Sequence, residues 1–364
     1  MLSNHVIKNF VEQIKPDDFS FFVMGIDIGG TNTNIGVAGV KNSKIYLLFS
    51  LSFKSIELQS IIPAVNETLD FVKQNYNIKI EIACIGAAGV VSKNMDFAEL
   101  TNVKWNVNTK DLIDQTSLTS AFIINDFQTI GYAINLLDHK NEGDIFTIRE
   151  GEKSKHKSTK AIIGAGTGLG KSILVYDAHF KGYVPIPSEG GHADFPAQND
   201  FENELVDFIK KLRGLSQPLT YEDLLSGRGI ESIYLFLREK NKFNLTIYSD
   251  EIDTVYDKSP LISKYRELDE TCKETFRLFT RFYGRCAKNF VLDSFATDGI
   301  YIAGGIAVKN KDIFSSKEFF EEFENAQRRS NVLKELPVYV VVNYDVSILG
   351  ACIAAMHKYL GDKI

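Results

Sequence analysis

The chain has 364 residues, 44% of them hydrophobic and 24% charged, with a formal net charge of −6. That length is enough for two domain cores, and the acidic balance excludes the basic face that a nucleic-acid or membrane-surface binder needs. No apolar run approaches the roughly 20 residues of a transmembrane span. The four cysteines, Cys84, Cys272, Cys286 and Cys352, are scattered with no CxxC pair, a usage that fits a reducing, cytoplasmic compartment and argues against a structural zinc.

The N-terminal stretch lacks a signal-peptide core and is too acidic for a transit peptide. Its Val6, Ile7, Phe10, Val11 and Ile14 have helical spacing, which predicts a short docking helix. Residues 23–40, VMGIDIGGTNTNIGVAGV, read as an apolar strand entering a Gly/Thr turn and a second strand leaving it, with a third strand over Lys44–Phe53. A helix is predicted over Ile56–Tyr76, from apolar residues at Ile61, Ile62, Val65, Leu69 and Val72. A buried strand follows over Ile80–Val91, and another, Ala121–Ile124, runs into Asn125-Asp126 and a helix over Phe127–Leu137. Continuous apolar strands alternating with helices predict a sheet covered on both faces. The polar stretch Asn141–Lys160 reads as a surface excursion.

Residues 164–172, GAGTGLGKS, come within one glycine of a P-loop, GxxxxGK[ST]. A P-loop must open a helix, whose N-terminal N–H groups hold the phosphates. Here Ser172–Tyr176 is β-prone, and Gly182, Pro185 and Pro187 suit no helix interior, so the reading is strand, turn, strand, turn, strand. This meander echoes the N-terminal one. Asp27-Ile28-Gly29-Gly30-Thr31 aligns with Gly164-Ala165-Gly166-Thr167-Gly168, which predicts an internal duplication, two lobes each with a phosphate-facing β-turn. Further helices are predicted at Glu202–Arg213, Tyr221–Leu225, Ile230–Lys240 and Thr271–Phe295. Then come strand Ile300–Ala303, the turn Gly304-Gly305, a helix, strand Pro337–Asn343, and a last helix, Ser347–Tyr359, expected to pack back on the first lobe. The C-terminal Gly361-Asp362-Lys363-Ile364 carries no peroxisomal-type address.

Four segments carry chemistry. In Asp27-Ile28-Gly29-Gly30-Thr31-Asn32 the glycines let backbone N–H groups close on phosphate oxygens. An Asp beside phosphate is repelled unless a cation intervenes, so Asp27 implies Mg²⁺ bound with the nucleotide. Asn125-Asp126 ends a buried strand, where α/β proteins bind ligands, and Asp126 is both a candidate general base and a candidate helix N-cap. Glu189 and His192 flank a Gly-Gly pair in PSEGGHADF and are suited to vicinal sugar hydroxyls, with no HxxH pattern for a metal. In Ala303-Gly304-Gly305-Ile306 a strand ends in glycines that permit close approach to a flat ring such as adenine.

Together, in this order, these segments resemble the bacterial-type ATP-dependent glucokinases of the actin and sugar-kinase superfamily. The resemblance covers residues 23–360 and rests on DIGGTNTNIG, LTNVKW, INDFQTIGYAI, GAGTGLG, PSEGGHADF, YEDLLSGRGIESIY and YIAGGI. The zinc-carrying cysteine cluster of the repressor-type sugar kinases is absent from the sequence. The resemblance implies an α/β fold of two ribonuclease-H-like (actin/hexokinase-like) lobes with a central cleft. The expected split is 1–136 plus 345–364 as the small domain and 137–344 as the large one. It implies Asp126 as the base for the glucose 6-hydroxyl and Asn102, Asn125, Glu189, His192 and Glu222 as sugar ligands. Gly29, Gly30, Thr31, Asn32, Gly166, Thr167 and Gly168 would hold the phosphates of ATP, and Gly304 and Gly305 would flank adenosine. Glucose and ATP are the implied partners, in a homodimer. A kinase for another hexose, a catalytically silent sugar or nucleotide sensor, and a plain ATPase are the alternatives. Lys171, Arg228 and an early start depart from the family pattern and are expected to bear on regulation and oligomer contacts, not on the sugar ligands.

Overall fold

The computed structural model describes residues 5–152 and 156–361. The chain forms two compact units: residues 1–137 with 177–187 and 343–364, and residues 138–176 with 188–342. Residues 177–187 group with the first unit, although the split 137–344 that the resemblance implies puts them in the second.

The first unit is built on strands β1 (Val6–Asn9), β2 (Phe21–Ile28), β3 (Asn32–Lys41), β4 (Lys44–Lys54), β5 (Ile82–Ala87), β6 (Gly89–Val91), β7 (Phe97–Leu100), β8 (Val107–Asn108) and β9 (Ser120–Asn125). The main sheet has the order β1-β4-β3-β2-β5-β9, an antiparallel meander followed by two strands parallel to β2. One face carries the core of Met24, Ile26, Val37, Phe49 and the helix Ile62–Tyr76. The other takes the last helix, Val346–Gly361, as expected. Two glycines permit that contact. A Cβ at Gly25 would lie 2.6 Å from the Cys352 amide nitrogen, and one at Gly36 would lie 2.2 Å from Ile348 Cγ2.

The next strands are β10 (Ile145–Arg149), β11 (Lys160–Ala165), β12 (Leu169–Asp177), β13 (Gly182–Ser188), β14 (Ile300–Ala303) and β15 (Val338–Val341), in the sheet order β10-β15-β14-β11-β12-β13. The plan β4-β3-β2-β5-β9 recurs as β13-β12-β11-β14-β15, so the duplication read from the sequence is a duplication of topology. Even the turns coincide: residues 29–31 and 166–168 each join the first two strands, in the alignment given above. The second core gathers on the helix Glu270–Ser294, through Phe276, Phe279, Phe282, Tyr283 and Phe290. Arg285 on this helix is fully buried between Glu202 (2.6 Å) and Glu322 (3.2 Å). No helix among the described residues is long and apolar enough to cross a membrane.

Three expectations fail. Residues 6–9 form strand β1 and not a helix, because the open edge of β4 offers backbone partners from Val6↔Ser52 to Asn9↔Phe49. Only Val11 and Ile14 of the supposed apolar face pack on the core. The strand expected over Ile80–Val91 breaks at Ala88 into β5 and β6, and β6 opens on Gly89, whose φ of +151° and whose Cβ position 2.0 Å from the Glu99 oxygen admit glycine alone. The stretch read as a surface excursion contains β10, which pairs with β15; part of it, residues 153–155, lies outside the described residues, as do residues 362–364 of the C-terminal address reading.

Candidate active site

In the first unit the candidate residues stand at one end of the sheet. β2 and β9 both flank β5 in parallel, with Ile28 opposite Ala87 and Ala87 opposite Asn125. The 29–31 turn and Asn125-Asp126 therefore leave from the C-terminal ends of neighbouring parallel strands, the end at which open α/β sheets bind ligands.

The turn is tied back by its carbonyls. Ser55 Oγ donates to the Gly29 oxygen at 2.6 Å, and the Ser55 N–H donates to the Thr31 oxygen at 3.0 Å. The Gly29 N–H closes the turn on the Asn32 oxygen at 3.0 Å. A Cβ at Gly29 would lie 2.9 Å from that same oxygen, and one at Gly30 would lie 3.3 Å from Asn102 Cβ. The glycines thus admit both the tight turn and the loop that brings Asn102 to it. Asp27 lies one residue pair in from the turn, opposite Asn34. Burial strips its carboxyl of water and pushes its pKa up to about 6, although a hydrogen bond with Asn34 works the other way.

Asp126 is the first residue of the helix Asp126–Ala133, and the N-cap is Asn125. Asn125 Oδ1 accepts from the Phe127 N–H at 2.9 Å, and Gln128 Oε1 accepts from the Asn125 N–H at 3.1 Å, a reciprocal capping box. This corrects the N-cap reading of Asp126. Its carboxylate stands at the positive end of the helix, accepting from the Phe127 N–H at 3.0 Å, where an anion is favoured. The helix is held from behind by the last helix, for a Cβ at Gly350 would fall 1.6 Å from the Thr129 oxygen.

In the second unit, β11 and β14 are parallel neighbours with Gly164 opposite Ala303. The 166–168 turn and Gly304 therefore leave from adjacent strand ends. Gly304 has φ of +92°, and a Cβ there would lie 2.6 Å from the Ala165 oxygen, so both backbone shape and space require glycine. The Gly166 N–H donates to the Gly168 oxygen at 2.8 Å, and the Gly227 N–H donates to the Gly166 oxygen at 3.0 Å.

Glu189 caps the short turn Gly190–His192 that His192 ends, and the two side chains are largely exposed and 3.8 Å apart. Gly191 packs on β12, with its Cβ position 2.0 Å from the Leu169 oxygen. Tyr221 is tied to the same segment through its N–H to the Ala193 oxygen at 3.0 Å, which brings Glu222 alongside. Glu222 Oε2 also accepts from the Leu169 N–H at 2.9 Å. Leu169 therefore links the two sets: its N–H holds Glu222 and its carbonyl lies under Gly191.

Lys171 belongs to β12 and is buried, donating from Nζ to the Gly190 oxygen at 2.9 Å. The strand settles the P-loop question against that motif. Arg228 Nη2 stands 3.7 Å from Glu222 Oε1. Both departures from the family pattern thus meet the proposed sugar-binding segments, contrary to expectation. Ser55 had no sequence signal, because it acts across 26 residues from a strand end. Lys171 had one, a lysine placed inside a β-prone run.

Both sheets have the plan of the actin/hexokinase-like sugar kinases, each ending in a glycine turn. The family model for glucokinase matches residues 24–358. A glucokinase of Trichormus variabilis is 34% identical over 346 residues, covering 90% of this chain and 97% of its own. Among solved structures, the glucokinase of an Antarctic psychrotroph superposes with a TM-score of 0.75 at 24% identity, over 92% of this chain and 99% of that one. The Balamuthia mandrillaris glucokinase in complex with glucose gives a TM-score of 0.75 at 21% identity, over 92% and 93%. These two show the fold. The chain belongs to the glucokinase family. Its activity is the transfer of the ATP γ-phosphate to the 6-hydroxyl of glucose, giving glucose 6-phosphate and ADP.

Proposed function

We propose that this transfer is an in-line displacement in which Asp126 is the general base. The glucose 6-oxygen forms a bond to the γ-phosphorus, the bond from that phosphorus to the β,γ-bridging oxygen breaks, and the hydroxyl proton passes to Asp126 as ADP leaves. Asn102, Asn125, Glu189, His192 and Glu222 hydrogen-bond the sugar. Asn125 Oδ1 is occupied as a helix cap, so its Nδ2 is the group that donates. Gly29, Gly30, Thr31 and Asn32, with Gly166, Thr167 and Gly168, form the phosphate-binding turns; the Gly29 and Gly166 N–H groups close them on the Asn32 and Gly168 oxygens, so the N–H groups of Gly30, Thr31, Thr167 and Gly168 are the ones offered to phosphate, and Gly304 and Gly305 flank adenosine. Phosphoryl transfer asks for positioning and charge stabilisation more than covalent help, which glycine turns with tethered carbonyls supply.

Asp27 bears on Mg²⁺. A carboxyl with its pKa pushed up to about 6 by lost hydration is an anion short of a cation. Among the described residues no three His, Cys, Asp or Glu side chains cluster to hold a metal by themselves. Both facts fit a Mg²⁺ that arrives on the nucleotide and meets Asp27 directly or through water. Such an ion supplies charge neutralisation on the phosphates. A glycolytic role, cytoplasmic location and homodimeric state are further parts of the reading, supported by the family resemblance; light scattering on the purified chain measures the last.

The observation that carries these assignments is the placement of Asn125-Asp126 and both glycine turns at the C-terminal ends of parallel strands in matching sheets. The test is coupled ADP release with Mg²⁺·ATP against glucose, mannose, glucosamine and no sugar. Strong glucose dependence is expected. Turnover indifferent to every sugar would point to a plain ATPase, and a larger kcat/KM for mannose or glucosamine would move the substrate to that hexose.

A further inference from the structure

Lys171 is a buried cation that the activity leaves unexplained. It stands in β12 with 5% of its surface exposed, and it forms no ion pair among the described residues. A buried ammonium without a carboxylate is costly unless its protons are satisfied. Its partners are neutral. Nζ donates to the Gly190 carbonyl at 2.9 Å, interacts with the Cys286 thiol, and lies 5.3 Å from the Tyr221 ring centroid and 5.1 Å from that of Phe290. The last two are cation–π distances.

These contacts fall on the segments that carry three of the five proposed sugar ligands. The Gly190 carbonyl lies in the turn between Glu189 and His192, and that turn contains two glycines, the residues with most backbone freedom to lose. Tyr221 immediately precedes Glu222. The lysine stem reinforces the contact, since a Cβ at Gly190 would lie 3.2 Å from Lys171 Cδ. A charge-assisted bond to a backbone carbonyl, fixed at its other end by a β-strand, restricts a turn that its own residues leave loose.

We propose that Lys171 is a positioning residue for the sugar: its ammonium fixes the 189–192 turn and the start of the 221–224 helix so that Glu189, His192 and Glu222 are preorganised for the hexose. This rests on the reading of those residues as sugar ligands. Lys171 acts through the Gly190 carbonyl and the Tyr221 ring, not as a ligand itself. Its loss frees the turn, and sugar binding must then supply the ordering that the ammonium supplied.

The test is steady-state kinetics of Lys171→Met and Lys171→Arg, with thermal unfolding of each. Methionine keeps the length of the stem among apolar neighbours but removes the donor and the charge; arginine keeps both. Lys171→Met is expected to raise the KM for glucose about 10-fold, the loss of one charge-assisted hydrogen bond. The KM for ATP should stay within about two-fold, and Lys171→Arg should recover part of the loss. An unchanged glucose KM in Lys171→Met overturns the proposal. So does a parallel rise in both KM values with a lowered Tm, which would make Lys171 a packing residue only. If Lys171→Met does not fold, Lys171→Arg and Lys171→Gln decide it, for a glucose KM as in the parent enzyme in Lys171→Gln removes the need for the charge. His192→Ala separates the layers. An unchanged glucose KM there sinks the sugar-site reading and this proposal with it; a raised KM there, with Lys171→Met unaffected, sinks this proposal alone.

Discussion

Asp27→Asn is expected to stabilise the ligand-free protein while impairing its use of ATP. The carboxyl titrates at about 6 in the folded chain against 3.8 as the unperturbed value, with desolvation the leading cause. That difference corresponds to roughly 3 kcal/mol against the ionised form, and because Asp27 is only half-buried, solvent screening reduces it to ~1–3 kcal/mol. The pH dependence has a definite sign. Below 3.8 both folded and unfolded chains carry a neutral carboxyl and no penalty exists. Between that value and about 6 the unfolded chain ionises first, so stability falls as pH rises; above about 6 the penalty is constant. An asparagine never ionises and escapes it. Denaturant unfolding of both proteins without ligand should show Asp27→Asn ahead by ~1–3 kcal/mol at pH 8 and level with the parent near pH 4. Adding Mg²⁺·ATP should reverse the order, because ligand stabilisation follows affinity for the folded state. A variant no more stable than the parent at pH 8, or one whose advantage is the same at both pH values, would refute the desolvation argument.

Three more substitutions test the site and its support. Asp126→Asn should lower kcat by about 10²–10⁴-fold while glucose affinity by calorimetry changes little, since the capping box belongs to Asn125 and Gln128. Glu222→Ala should raise the KM for both glucose and ATP, because its Oε2 holds the Leu169 N–H next to the 166–168 turn; a rise for glucose alone would mean that the turn stands without it. Glu202→Ala, which leaves Arg285 buried with Glu322 as its remaining carboxylate, should cost about 3–5 kcal/mol of stability in urea unfolding.

Much of this was legible in the sequence because the signals were local. The two meanders, the glycine turns and the Asn125-Asp126 strand end are each written in a few consecutive residues, and their order carried the family resemblance. What failed was decided by distant partners. Residues 6–14 have the spacing of a helix, yet the backbone edge of β4 made residues 6–9 a strand. Ile80–Val91 reads as one strand, but the chain leaves the main sheet after Ala87, and at Gly89 β6 begins to pair with β7 where Glu99 comes close. Asp126 and Asn125 are equally good caps on paper, and only the geometry shows that Asn125 takes the cap and leaves Asp126 one position further on. Lys171 was visible as an anomaly, but nothing local says that its ammonium reaches the Gly190 carbonyl 19 residues away.

The duplicated turn also explains why its two copies carry different acidic groups. At the position of Asp27 in β2, β11 has Gly164, which pairs with Gly170 and brings no charge. The second turn meets a carboxylate from elsewhere in the chain, Glu222, whose Oε2 is already engaged by the Leu169 N–H. Asp27 has its neutral Asn34 partner and a desolvated setting, so its ionised form is the one that a cation rescues. On the proposed reading the first turn carries the Mg²⁺-facing carboxylate, while Glu222 anchors the second turn through Leu169 in addition to its sugar role. Mg²⁺ titration in the presence of ATP should distinguish them: Asp27→Asn should shift the Mg²⁺ dependence of kcat/KM to higher concentration by about 10-fold or more, whereas Glu222→Gln should leave it in place, because the amide oxygen can still accept from Leu169.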